Sequence, residues 1–257
     1  MLSQPQEYLE LTAPPPSKTE DLSPICMAFP SADPTSFLVG TEEGTIYPCH
    51  RYDRAGAKAG VDTRVRYKGH TAPVMGLDFH PVRGPVDLGD LLLSSALDWT
   101  VKLWKIRPSS TMVATTSIST VAALTNGVEQ AVEPLFEFSR EEVIYDARWS
   151  PHKPGVFALV DGAGSIEIWD LTVDTEVPVS SASPEVNRVA MQTSYVAKSL
   201  NKVVWEEKEG KRLAVGGAAG VVSVFEVGNE LAGEGVRGEE WTSMKRLVGR
   251  AEAGRRT

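Results

Sequence analysis

Cysteine is nearly absent. Cys26 and Cys49 are the only two in 257 residues, too few for a disulfide framework or a cysteine-based zinc site. Both read as buried and inert, and a reducing compartment is the simpler expectation. Histidine is also scarce. His50, His70, His80 and His152 form no HExxH pair and sit beside no nucleophile elbow, so no motif supports an enzyme. Positive charge is in deficit, with 26 Lys and Arg against 34 Asp and Glu. A net charge of −8 provides no global field for phosphates, and nucleic acid is not an expected partner. No apolar run approaches the roughly 18 residues that span a bilayer. The first residues lack the apolar core of a signal peptide. With 22 Gly and 17 Pro spread along the chain, long helices cannot persist, which excludes an all-helical bundle. Gly216-Gly217-Ala218-Ala219-Gly220 has no Lys-Ser or Lys-Thr after it, and Asp161-Gly162-Ala163-Gly164 lacks a calcium-ligand series. Both read as turns, and no cofactor or metal is expected.

What is present is repetition. Four segments superimpose: residues 25–49, 74–104, 144–170 and 202–225. Each has an apolar run ending in an aromatic, a second apolar run, a turn and a third run. Phe29 to Cys49, Trp149 to Trp169 and Trp205 to Phe225 are each 20 residues apart. Phe79 to Trp104 is 25, with the excess assigned to a loop insertion around Val82–Asp90. Val101–Trp104 and Ile166–Trp169 alternate apolar and polar, the period of a strand. Leu91–Leu93 and Phe157–Val160 are continuous apolar runs, as in strands covered on both faces. Pro30, Pro81 and Pro151 stop the first strand of three repeats. Gly44, Gly164 and Gly220 stand where a tight turn needs φ > 0.

Repeats of this length and composition predict an all-β fold, a β-propeller. The second repeat narrows the reading, because Gly69-His70 opens it, Ser94 is mid-strand, Asp98 is in the turn and Trp104 ends the third strand. This resembles the WD-repeat pattern, which implies a hydrogen-bonded network of His70, Ser94, Asp98 and Trp104. A carboxylate in a covered turn needs donors, and imidazole, hydroxyl and indole supply them. The third repeat has Ala163 and the fourth Ala219 where the turn Asp would stand. Those blades are left to packing, or to contacts the sequence does not reveal.

Longer strings narrow it further. GHTAPVMGLDFHPVRGPVDLGDLLLSSALDWTVKLW (69–104) and YDARWSPHKPGVFALVDGAGSIEIWDLTVDTEVP (145–178) resemble the cytoplasmic dynein intermediate-chain family, as do 4–18, 37–62, 199–227 and 239–248. The resemblance implies a non-catalytic subunit of the cytoplasmic dynein motor. Its propeller would dock on the dynein heavy chain, placing it in the cytoplasm on microtubules. Light chains and dynactin would be recruited through an N-terminal half that these residues do not include. The other reading is a different WD-repeat scaffold of a multiprotein complex.

The expected organisation follows. Residues 1–19 would be a strand and linker left from a preceding blade, with Tyr8–Leu11 as its strand. Residues 20–227 would hold four blades (20–50, 69–105, 138–171, 198–227) of an incomplete ring, so the chain reads as the C-terminal part of a longer protein. The Ser/Thr/Val/Ala-rich stretch 109–134 reads as a flexible insertion. Residues 228–257 would be a linker and an amphipathic helix, with Trp241, Met244, Leu247, Val248 and Ala251 on one stripe. Glu239 and Glu240 open that helix, and Lys245, Arg246 and Arg250 lie later, as the macrodipole favours. Residues 237–257 carry six basic and three acidic groups. The stripe either folds onto the propeller or docks on the heavy chain, with Trp241, Met244 and Leu247 as candidate contacts. Trp99, in a turn where small residues are usual, either packs on a neighbouring blade or meets a partner. Lys58, Arg64, Arg66 and Lys68 form a basic cluster that reads first as a solvated loop.

Overall fold

A computed structural model describes residues 9, 11, 22–52, 59–62, 65–81, 83–106, 130–184, 198–232 and 238–255. It is mostly β, with four sheets and one C-terminal helix, the architecture of an incomplete WD-repeat propeller.

The first sheet has β1 (Pro24–Ala28), β2 (Ser36–Thr41), β3 (Ile46–His50), β5 (Val65–Tyr67) and β9 (Gln130–Val132), with β4 (Gly60–Val61) also paired to β3. The second runs β10 (Phe136–Ser139), β8 (Thr100–Lys105), β7 (Leu91–Ala96), β6 (Val74–Phe79). The third is β11 (Ile144–Trp149), β12 (Val156–Asp161), β13 (Ile166–Asp170), β14 (Ser180–Ala182). The fourth is β15 (Leu200–Trp205), β16 (Arg212–Gly217), β17 (Val222–Glu226). The first strands of the four sheets pack side by side in chain order, β1 on β6, β6 on β11 and β11 on β15.

One irregularity recurs in all four. The pairing of the first two strands slips between Pro24 and Cys26, Val74 and Gly76, Ile144 and Asp146, and Leu200 and Lys202. A bulge at the same repeat position bends and twists each innermost strand in the same way.

Apolar clusters lie between blades. Leu38, Ile46, Val74, Leu77 and Trp104 join the first and second. Leu93, Phe138, Trp149, Phe157 and Trp169 join the second and third. Ala158, Val160, Ile166, Val203, Trp205 and Leu213 join the third and fourth. The outward face of the fourth sheet is bare. Val222 and Val224 are 72% and 63% exposed, whereas Ile166, the repeat equivalent of Val222, is 2% exposed beneath the next blade.

Two expectations need correction. The stretch 109–134 is not wholly a loop, because Gln130–Val132 is β9 and pairs parallel with β5, Val65 opposite Gln130. Residues 107–129 lie outside the described residues. Leu9 and Leu11 are not in a strand, although Leu22 donates its amide to Leu11 O at 3.0 Å. Tyr8, Glu10, Lys58 and Arg64 lie outside the described residues. Arg66 is in β5, its guanidinium over the Tyr47 ring at 5.7 Å. Among the described residues, no helix is long and apolar enough to cross a membrane.

The helix α1 (Gly238–Gly254) folds onto the second and third blades. Trp241, Met244 and Val248 are buried there and Leu247 is packed against the same cluster. Loop 83–90, the extra length of the second blade, forms part of the seat. Leu88 and Val86 join the cluster, and a Cβ at Gly84 would stand 2.2 Å from the Trp241 ring. Lys153 holds both Glu240 oxygens at 3.0 Å, and Lys105 holds Glu252 at 3.0 Å. Trp241 and Met244 are therefore core, and their assignment as partner contacts is corrected. The helix also runs past its basic residues, leaving none in its last turn.

Candidate functional site

The second blade assembles a polar chain from the stretch that leads into β6, from β7, from the turn after β7 and from β8. The Trp104 indole N–H donates to Ser94 Oγ at 2.7 Å, and Ser94 Oγ lies 2.6 Å from His70 Nε2. His70 Nδ1 lies 2.9 Å from Asp98 Oδ2. Asp98 also accepts from the Thr71 amide at 3.0 Å, the Thr100 amide at 3.2 Å and Thr100 Oγ1 at 2.7 Å. Thr100 is a member the sequence reading missed, and it follows the turn Asp by two residues, the spacing of a local side-chain turn.

The electrostatics fit a one-way chain of donors. Burial lowers the His70 pKa against the attraction of Asp98, so the ring is neutral and donates from Nδ1. Burial also works against charge on Asp98, but hydrogen bonds from His70, Thr100 and Thr71 hold its carboxyl far below the usual carboxylate range. Ser94, His70 and Asp98 thus stand in the order of a hydrolase triad. Ser94 is 1% exposed, and its oxygen already accepts from Trp104. No carbonyl can reach it, so the arrangement is a clamp within the blade.

The third blade has its own substitute. Arg140 pairs with Glu167, Glu167 accepts the Trp169 indole N–H at 3.1 Å, and the Arg140 guanidinium lies 5.6 Å from the Trp169 ring. Packing alone is therefore not what holds it. Arg140 is 27 residues from Glu167, almost the separation of His70 and Asp98, a spacing that could have revealed it.

Charges on the innermost strands link successive blades. Arg148 reaches Asp78 at 3.2 Å and Asp146 at 3.1 Å, and Lys202 reaches Asp146 at 3.5 Å. Asp78 accepts the Trp149 amide at 2.8 Å, and Trp205 donates its indole N–H to Arg148 O at 3.0 Å. These groups line a cavity of about 300 Å³ together with Arg83 and Val204. Asp146 fits because the facing residue is Gly76, where a Cβ would stand 2.8 Å from its Oδ1. Burial, opposed by Arg148, raises the Asp78 pKa to about 6. Asp78 and Arg148 stand one residue before the strand-ending aromatic in consecutive repeats, a signal the sequence did hold.

His80 is sealed between blades. Its Nδ1 is 2.9 Å from Pro81 O, its Nε2 is 3.0 Å from Pro154 O, and Trp149 and Trp241 flank the ring. Burial lowers its pKa to about 4, outweighing the pull of two carbonyls toward the charged ring. A free histidine titrates near 6.5, so folding favours the neutral form. The stabilisation from His80 is complete above pH ~6.5 and is lost as pH falls toward 4, with a ceiling of about 3 kcal/mol. Asp78 acts in the opposite sense, gaining as pH falls below about 6. Site-resolved imidazole NMR isolates the first effect. The His80 resonances should titrate with a midpoint near pH 4, and a midpoint near 6.5 would refute the assignment.

Trp99 is where the repeats diverge. In the other three blades the equivalent turn residues are Gly44, Gly164 and Gly220, with φ of 85°, 88° and 70°. Trp99 takes the same left-handed conformation at φ 68° and is 51% exposed. It belongs to none of the buried clusters between blades. An L-residue there costs about 1–2 kcal/mol. Trp99→Gly removes that strain at the expense of a more flexible unfolded chain. Stability should stay within about 1 kcal/mol of the native protein in urea titration. A loss of several kcal/mol would mean that the indole is packed after all.

No family model matches the chain. It is 31% identical over 233 residues to cytoplasmic dynein 1 intermediate chain of Drosophila melanogaster. The match covers 90% of this chain and 29% of that relative. The chain thus spans under a third of the length of the curated relative it matches.

Proposed function

This chain is a relative of the cytoplasmic dynein intermediate chains, and from that premise we propose that it is a non-catalytic subunit of a cytoplasmic dynein motor. Its β-blades would serve as a scaffold that docks on the dynein heavy chain in microtubule-based transport in the cytoplasm. The observation that carries this reading is the similarity over 90% of the chain.

The chemistry of the described side chains is in keeping with a scaffold. Ser94, His70 and Asp98, the set that stands in the order of a triad, are committed to holding the second blade together. Burial raises the Cys26 and Cys49 thiols to about 11 and about 12, so neither supplies a thiolate at neutral pH. Buried aromatics and bonded charges fix the blades as rigid plates, and rigid plates present turns and sheet faces to a partner.

The test is affinity purification of the tagged protein from its own cells. Recovery of dynein heavy chain in stoichiometric amount is expected. If heavy chain is absent while another multiprotein complex is recovered, the motor reading fails and the alternative WD-repeat scaffold stands.

A further inference from the structure

The protein has six tryptophans, and five are buried. Trp104, Trp149, Trp169, Trp205 and Trp241 are each at most 6% exposed, while Trp99 is half out in solvent. It occupies a position that glycine fills in the other three blades, so neither the turn nor the core requires it.

The surface around it is continuous. The blade-one turn abuts the chain before β6, because a Cβ at Gly44 would stand 2.5 Å from His70 O. Thr71, in that same stretch, donates to Asp98. On the other side, Trp99 O accepts the Arg140 amide at 2.8 Å, and Gly162 donates to Val143 O at 2.9 Å. Trp99 therefore lies between the turn carrying Glu42 and Glu43 and the loop carrying Glu141 and Glu142. All four glutamates are exposed. The Arg140 guanidinium is drawn away to Glu167 and the Trp169 ring. Lys68 is an exposed cation in the chain leading to His70. Around the indole, carboxylates predominate.

We propose that this rim is a docking surface for a basic protein segment, with a Lys or Arg side chain seated on the Trp99 indole. An exposed indole attracts a cation through its ring face, and carboxylates on both flanks strengthen that attraction and repel acidic partners. The assignment goes beyond the motor reading and does not depend on it.

Two measurements on the whole chain test it. The first uses Trp99 as its own reporter, since the other indoles are buried. Caesium should quench the exposed fluorescence component more strongly than iodide at low ionic strength, and the reverse order would overturn the local field. The second uses a labelled decapeptide of alternating Lys and Ala, followed by anisotropy, with a Glu-Ala decapeptide as control. The Lys-Ala peptide should bind saturably and the Glu-Ala peptide should not. Trp99→Gly, which the turn tolerates, should weaken binding at least tenfold. The pair Glu141→Gln and Glu142→Gln should weaken it severalfold with an unchanged melting temperature. Equal binding to the native protein and to Trp99→Gly, or no preference for the basic peptide, overturns the proposal.

Discussion

Replacing Trp241 with alanine is expected to lower folding stability by about 3–5 kcal/mol, the range for truncating a buried Trp. The indole is 4% exposed and lies edge-on to His80, with ring centroids 5.8 Å apart. It also rests on the backbone at Gly84, where any side chain would overlap it. The cavity cannot collapse easily, since loop 83–90, β11 and the helix all meet there and Lys153 and Lys105 pin the helix at two places. Urea unfolding followed by far-UV circular dichroism measures the effect. A midpoint unchanged from the native protein would show that the helix is detached in solution, and would return Trp241 to the surface.

Asp98→Ala is the second large effect, expected at about 1–3 kcal/mol. The carboxylate collects hydrogen bonds from His70, from Thr100 and from the Thr71 amide. Truncation leaves those donors without their acceptor, and His70 stays buried beside Ser94 and Trp104. Asp98→Asn, which keeps one acceptor oxygen, should recover part of the loss. The measurement is again equilibrium unfolding. A double substitution with His70→Ala that is no worse than Asp98→Ala alone would show that the two act as one unit. Strict additivity would refute the network.

The strands, turns and polar clamp of the second blade were legible because each is encoded within a short stretch. A strand writes its burial into alternate residues, and two successive hairpins set the first and third strands of a repeat about 20 residues apart, as Trp149, Phe157 and Trp169 show. The aromatic-to-strand-end spacing thus located three strands per repeat, and Gly44, Gly164 and Gly220 marked their turns by the φ only glycine accepts freely. His70, Ser94, Asp98 and Trp104 were legible for the same reason, since all four lie in one blade.

Contacts between blades were not legible in this way. Arg148 and Asp78 stand 70 residues apart; their shared place before the strand-ending aromatic marks them as equivalent, but nothing local says that the two charges meet across blades rather than face water. The pairing of β9 with β5 crosses about 65 residues, and no period in the sequence records it.

The sequence by itself determined that this is a repeated, all-β chain with one amphipathic helix, because alternation, helical periodicity and turn chemistry are properties of neighbouring residues. Only the tertiary structure decided what covers each apolar face. The stripe of Trp241, Met244 and Leu247 would read the same whether it met a partner or its own chain, since periodicity states that a face is buried and not against what. Folding resolved it through Gly84, Lys153 and Lys105, which supply space and charge at matching places. Trp99 is the converse case. Its residue type suggested packing as readily as exposure, and only the folded turn, with Trp99 at φ 68° and 51% exposed, left half of the side chain in solvent.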